Sequence, residues 1–406
     1  LLHNRDDRPG LSGVWVSGLG RLHILFIPSW YPSDEAPLLG TFFQEQAEMF
    51  EEVGHKVGVL YAQFLDFPSK RWFGGTTHGV RVSVENGLTV VRAVQRMRQL
   101  GPLQRIPPIY RAAVRQRERL ALKMYDAYTE VNGKPDIIHA KCTMWGAILA
   151  RAIAEREGIP WLVTVGASIF ARGIAGPRER MTASKTLSSA SYLASVSNSL
   201  SEDLDRILGI PQESFTLVPN MIDIDNFPLT PRRQEDEFVW GYMANMVADK
   251  GHETLLRAFA SVDGGTLQLA GDGPLRGRLE KLVSELGLSD RVSFTGNILR
   301  EVAPYFFQGI DAFVHPSRYE TFGIVLVEAL ASGRPVVATR CGGPNDIVRQ
   351  EDGILVAVDD VAGLASAMNE ARSHQWDSSA MRAGVEERYT KEIIREQLLT
   401  IYNSLI

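Results

Sequence analysis

Twice along this chain, short apolar runs alternate with amphipathic stretches of helix length, and this repetition restricts the fold more than any other feature of the 406 residues. In the first round, residues 23–27 (HILFI) read as a buried strand, 43–53 as a helix ended by Gly54, and 56–61 as the next strand. Further strands are expected at 136–139, 161–165, 191–196 and 215–218. In the second round they are expected at 238–243, 266–270, 291–295, 312–315, 335–339 and 353–356, with helices between. A turn-rich stretch separates the rounds, running from Pro219 through Pro228 and Pro231 into the charged run 232–237. Strands alternating with helices build βαβ units and parallel sheets. Two α/β halves also suit the length, at about 100–200 residues per domain. Open α/β sheets bind ligands beyond the carboxyl ends of their strands, so two facing halves place the chemistry in the cleft between them.

Composition narrows the function. Apolar residues make up 45% and charged residues 22%, a globular balance. The net charge of −5, from 48 acidic and 43 basic residues, gives no sign of a nucleic-acid partner. No run of 18 apolar residues offers a bilayer span. Cys142 and Cys341 are the only cysteines and no Asn-x-Ser/Thr site occurs, which favours a reducing, cytoplasmic location. Residues 1–20 lack both periodicity and the order of a signal peptide, so a disordered extension is expected there.

One local charge feature stands apart. Residues 92–123 hold nine basic residues and one acid, Glu118. The stretch reads either as a solvated helix face or as a peripheral contact with anionic membrane, where each basic residue adds about 1 kcal/mol. Pro107-Pro108 divides it, so it is not one continuous helix.

The segment 315–346 (HPSRYETFGIVLVEALASGRPVVATRCGGPND) is the densest in chemistry. Glu320 lies eight positions before Glu328, with Phe322-Gly323 leading into an apolar helical run. Gly323 permits close backbone approach to a ligand. The N–H groups of Ile324 and Val325 open the helix, where a diphosphate is favoured. Eight residues span a little over two turns, so Glu328 cannot duplicate the role of Glu320 at the helix mouth. A helical carboxylate such as Glu328 can accept two ribose hydroxyls.

This combination resembles the donor-site signature of glycosyltransferase family 4, a family of retaining enzymes with the GT-B fold. The likeness runs from about residue 22 onward. Residues 27–32 (IPSWYP) and 40–46 (GTFFQEQ) resemble the family's first strand and glycine loop; 218–227 resemble its hinge; 389–406 resemble its closing helix. The resemblance implies two Rossmann-like, doubly wound domains facing a central cleft. Residues 21–222, with the closing helix 389–406, would form the acceptor-binding domain, and 223–388 the nucleotide-sugar-binding domain. It also implies a retaining hexosyltransferase, with Glu320, Lys250 and His139 as the catalytic candidates. Gly40, Asn245, Lys250, Ile298, Glu320, Phe322, Gly323, Ile324, Val325 and Glu328 would bind the donor, with the base read near Asn297 and Ile298. Trp30, Tyr31 and Lys141 would lie on the acceptor side. Lys250 would stabilise the departing diphosphate as an oxocarbenium-like transition state forms. No metal or other cofactor is expected. The partners are a UDP, GDP or ADP sugar and a glycan or lipid-linked acceptor, with surface polysaccharide or glycoconjugate synthesis as the setting.

Three positions depart from the family pattern. Asn245 stands where an Arg is usual and lacks both charge and the bidentate fork. Lys141 replaces the second His of a His-Ala-His strand end, and Gly166 replaces a His further on. Arg318 or Arg340 are candidates to make up the missing charge. His315 reads equally as a turn-fixing residue or a ligand, and Asp272 as a turn residue. The departures leave two other readings: a non-catalytic nucleotide-sugar-binding partner of an active transferase, and a nucleotide-sugar epimerase on the same fold.

Overall fold

The computed structural model describes residues 20–33, 36–37, 39–67, 79–98, 106–230 and 237–406. Residues 1–19 of the expected extension and 232–236 of the charged run lie outside them. The first half runs β1 (His23–Pro28), α1 (Thr41–Glu51), β2 (Lys56–Phe67), β3 (Gly79–Glu85), β4 (Leu88–Arg98), α2 (Pro107–Asn132), β5 (Ile137–Lys141), α3 (Trp145–Glu157), β6 (Trp161–Val165), α4 (Pro177–Leu187), β7 (Tyr192–Ser195), α5 (Asn198–Leu208) and β8 (Phe215–Leu217). The second runs β9 (Val239–Met243), α6 (His252–Phe259), β10 (Thr266–Ala270), α7 (Arg276–Glu285), β11 (Val292–Gly296), α8 (Ala303–Gln308), β12 (Ala312–His315), α9 (Ile324–Ala331), β13 (Val336–Thr339), α10 (Pro344–Ile347), β14 (Gly353–Val356), α11 (Val361–Ser373), α12 (Ser378–Tyr389) and α13 (Lys391–Leu405).

The halves form an eight-stranded sheet, order β3-β4-β2-β1-β5-β6-β7-β8, and a six-stranded sheet, order β11-β10-β9-β12-β13-β14. All pairings are parallel except β3 with β4. That hairpin corrects the sequence reading, which assigned no strand between 61 and 136. Asn86 and Gly87 both take positive φ (49° and 82°), the backbone of a two-residue hairpin turn. Val82 and Val84 face solvent, so the alternation carries little burial signal. Pro107 and Pro108 open α2, as the division of the basic stretch required.

Each sheet reverses its winding once. The first turns back between β1 and β5, and the second between β9 and β12. Such switch points leave a crevice at the carboxyl ends of the strands. There the chain presents Trp30 and Lys141 on one side, Asn245 and His315 on the other.

The apolar stripe of α13 (Ile394, Leu398, Ile401, Tyr402) packs back onto β1 and α1 beside Phe26 and Phe50, so the chain ends on its first domain. Among the described residues no helix is long and apolar enough to cross a membrane.

Candidate active site

Two adjoining chambers occupy the cleft. The larger, about 430 Å³, is walled by the second domain: Asn245, Lys250, Asn297, Ile298, His315 and the start of α9. The smaller, about 270 Å³, lies between the domains, with Trp30, Lys141, Thr164 and Gly166 facing Glu320 and Phe322. Glu320, Gly323 and Ile324 belong to both walls.

Glycine geometry shapes the shared rim. Gly323 caps α9 at φ 103°, a conformation that disfavours a side chain. A Cβ on Gly342 would meet the Glu320 carbonyl oxygen at 2.3 Å, and one on Gly343 the Phe322 oxygen at 2.2 Å. The Gly-Gly pair thus lets the 320–323 loop lie directly on the 341–343 loop, held by Glu320 N–H to Cys341 O at 2.9 Å and Gly343 N–H to Glu320 O at 2.9 Å. The first-turn N–H groups of α9 then open into both chambers.

Lys250 projects from a single helical turn, Ala248–Lys250, and donates to Glu320 Oε2 at 2.6 Å. Burial alone would raise the Glu320 pKa, but Lys250 and His315 more than offset it and hold the carboxyl below its ordinary value. The His315 Nε2 lies 3.7 Å from the same oxygen, beyond hydrogen-bond reach. Burial lowers the His315 pKa to about 4, and neither ring nitrogen has a partner among the described residues. The site therefore offers an ionised carboxylate, a lysine on the wall of the larger chamber, and a neutral imidazole.

Glu328 sits in the second turn of α9, buried, and belongs to neither chamber's wall. Burial, partly offset by Arg300 and reinforced by Glu45, raises its pKa to about 7. No described residue hydrogen-bonds this carboxylate, so its acceptor capacity is unused, but the donor contact expected of Glu328 is not made from either chamber wall as the side chain stands.

Other expectations change. His139 was expected to face the cleft, yet it is fully buried, with Nδ1 2.6 Å from the Tyr402 hydroxyl and Nε2 2.8 Å from Thr164 Oγ1. Both nitrogens are used, so the geometry makes it a tie between α13 and the cleft wall. Tyr31 is buried against Tyr61 and Arg92, away from both chambers. Gly40 caps α1 at φ 80°, where a Cβ would meet the Trp30 carbonyl carbon at 2.6 Å. It fixes the loop that carries Trp30 and lines neither chamber. Arg318 pairs with Asp359 at 2.9 Å, and Arg340 lines neither chamber, so neither supplies the charge absent at Asn245. Asp272 accepts from Gly273 N–H within its own turn. Arg300 escaped the sequence reading: it lines the smaller chamber and pairs across the cleft with Glu45 at 2.7 Å. Nothing in its sequence surroundings marks it. Among the described residues no cluster of three or more His, Cys, Asp or Glu is arranged to hold a metal ion.

Two doubly wound sheets facing a cleft at the carboxyl ends of their strands define the GT-B fold. Comparison with known proteins agrees. The model for "Glycosyl transferases group 1" matches residues 237–374, and that for "Glycosyl transferase 4-like domain" matches 39–221. The chain belongs to this group 1, family 4-like glycosyltransferase family. It is 36% identical over 173 residues to the lipopolysaccharide core biosynthesis glycosyltransferase LpsD of Rhizobium meliloti, covering 41% of this chain and 50% of that one. The chain spans about half the length of the first curated relatives it matches. Sucrose-phosphate synthase of Thermosynechococcus elongatus superposes with a TM-score of 0.70 at 20% identity, covering 94% of this chain and 99% of that one. HepE of Anabaena, in complex with UDP and glucose, superposes with a TM-score of 0.67 at 20% identity, covering 95% and 100%.

Proposed function

We propose that this chain is a retaining glycosyltransferase that moves a hexose-type sugar from a nucleotide donor to a glycan or lipid-linked acceptor in glycoconjugate synthesis. The Lys250–Glu320 pair at the mouth of α9 carries the reading. The diphosphate lies on the N–H groups of Ile324 and Val325, with the ribose toward Glu328 and the base against Asn297 and Ile298. The sugar then passes Glu320 into the smaller chamber. Lys250 and the helix dipole take up the charge that develops on the departing diphosphate. Retention follows from same-face attack, with that diphosphate receiving the acceptor's proton. No metal enters this scheme. UDP sugars are the first donors to try, since HepE is complexed with UDP and glucose.

The acceptor side includes a groove of about 740 Å³ between α2 and α4. Arg111, Arg115, Arg178 and Lys185 line it without an ion-pair partner among the described residues, beside exposed Met181. Both helices begin at the sheet edge that holds the cleft. This supports peripheral contact with anionic lipid and a cytoplasmic membrane-facing location. Binding to anionic vesicles that falls with added salt is the expected result; equal binding to neutral vesicles removes the membrane contact.

The deciding experiment is a thermal-shift screen against UDP, GDP and ADP sugars, with Glu328→Ala alongside, since a ligand of the folded state raises Tm. A shift with one nucleotide class, lost in the variant, supports the donor site, and the anomeric form of the product then tests retention. No shift with any donor removes the reading. Binding without turnover favours the non-catalytic partner, which the uncharged Asn245 in the phosphate chamber also suits.

A further inference from the structure

Among the described residues, the smaller chamber contains one lysine that no acid faces. Its other charges pair off: Lys250 with Glu320 at 2.6 Å and Arg300 with Glu45 at 2.7 Å. Lys141 has no carboxylate within ion-pair distance among the described residues, although only 2% of it is exposed and it lines the chamber. Its nearest polar contact is Thr164 Oγ1, at 3.5 Å from Nζ. That hydroxyl is itself held by His139, which is held by Tyr402 of α13. The Lys141 carbonyl accepts from Ser29 N–H at 3.1 Å and Ser29 Oγ at 3.0 Å. The lysine is thus fixed from both ends. Burial drives its pKa well down, so the ammonium form is favoured only when an anion lies beside it.

Space accompanies the amine. Gly166 lines the same chamber, and a Cβ there would meet only Val196, at 3.4 Å. No close approach requires glycine at this position, so the missing side chain serves to enlarge the chamber. A buried amine without an acid, beside added room, suits a ligand that brings its own negative charge.

The position says which ligand group this is. Glu320, Gly323 and Ile324 are shared by the two chambers. A diphosphate held at the start of α9 therefore sends its sugar into the chamber of Lys141. We infer that Lys141 pairs with a carboxylate on the donor's sugar, so that the chain selects a nucleotide-linked uronic acid over the neutral hexose. This rests on the donor-site reading above and narrows its sugar.

Titration calorimetry on the full chain tests it, with UDP, UDP-glucose and UDP-glucuronate, and with GDP, GDP-mannose and GDP-mannuronate. The uronate is expected to bind at least about tenfold more tightly than its hexose partner, as a charge-assisted hydrogen bond implies. In Lys141→Met and Lys141→Gln the ratio is expected to fall to about one; glutamine retains a donor but no charge, so it isolates the ion pair. Binding of the free nucleotide by each variant shows that the donor domain is folded. If the nucleotide binds and the wild-type chain treats hexose and uronate alike, the inference is overturned and the donor-site reading survives. An unchanged preference in both variants also overturns it. If no nucleotide or sugar donor binds, the donor-site reading falls and takes the inference with it.

Discussion

Glu328 and Lys250 carry opposite electrostatic burdens. With a folded-state pKa near 7 against an ordinary 4.5, Glu328 binds more protons in the folded chain than in the unfolded one across that interval. Stability contributed by this group is therefore present below about pH 4.5 and lost as pH rises through 7. Glu328→Gln removes the titration. Its stability relative to wild type is expected to rise by on the order of 3 kcal/mol between pH 4 and pH 8, read from denaturant melts at each pH. Ribose hydroxyls donated to this carboxylate favour its ionised form, so donor binding near pH 7 should release protons in wild type and not in the variant. Lys250→Met is expected to lower kcat by about 10²–10³-fold with a smaller change in donor affinity, because the charge it meets grows as the bond breaks. An unchanged single-turnover rate removes the assigned phosphate role.

Elements hold these residues through close backbone contacts that admit no side chain. Gly251 takes φ 66°, and a Cβ there would lie 1.9 Å from the Pro316 carbonyl oxygen. It clamps the Lys250 turn to the loop leading to Glu320. Gly251→Ala is expected to cost more than about 2 kcal/mol through strain and displaced backbone, and to weaken donor binding by moving Lys250. A melting temperature and donor affinity equal to wild type would contradict that clamp. At this scale the sequence was legible where an apolar run is closed off by turn residues. Strands β6, β10, β12 and β14 fall on the expected residues because apolar runs bounded by turns mark them. The β3–β4 hairpin did not, since Val82 and Val84 of β3 face solvent and the arginines of β4 drew the reading toward charge, although Val90 and Val91 are buried.

For the whole molecule, the two switch points face each other, and hydrogen bonds from Asn198 to Asp346 and from Tyr319 to Asp203, with two ion pairs, cross between the halves. Glu45 with Arg300 and Arg172 with Asp249 join the domains through partly exposed ion pairs. Pairs of this kind are worth about 0–1 kcal/mol each. Replacing both Arg172 and Arg300 by Ala is expected to shift the closed population by up to about fivefold per pair. Small-angle scattering would report a larger radius of gyration at low salt, converging with wild type at high salt, where the native pairs are screened. Equal radii at all salt concentrations would place the closing force elsewhere.

The sequence by itself determined the two α/β halves and the helix mouth at Gly323, whereas the pairing of Lys250 with Glu320, 70 positions away, came only with the packed chain. Periodicity and glycine placement are local, and the motif compresses this loop and helix into consecutive residues. Only the tertiary structure decided where polar groups from distant segments point. His139 and Lys141 sit two residues apart on one strand and look alike in sequence, yet Tyr402, 263 positions away, satisfies the first and seals it in the core. Lys141, at the strand end, meets no acid and is left to the chamber. Burial and partnership are properties of the packed chain, set by which elements meet, and no spacing along a strand encodes them.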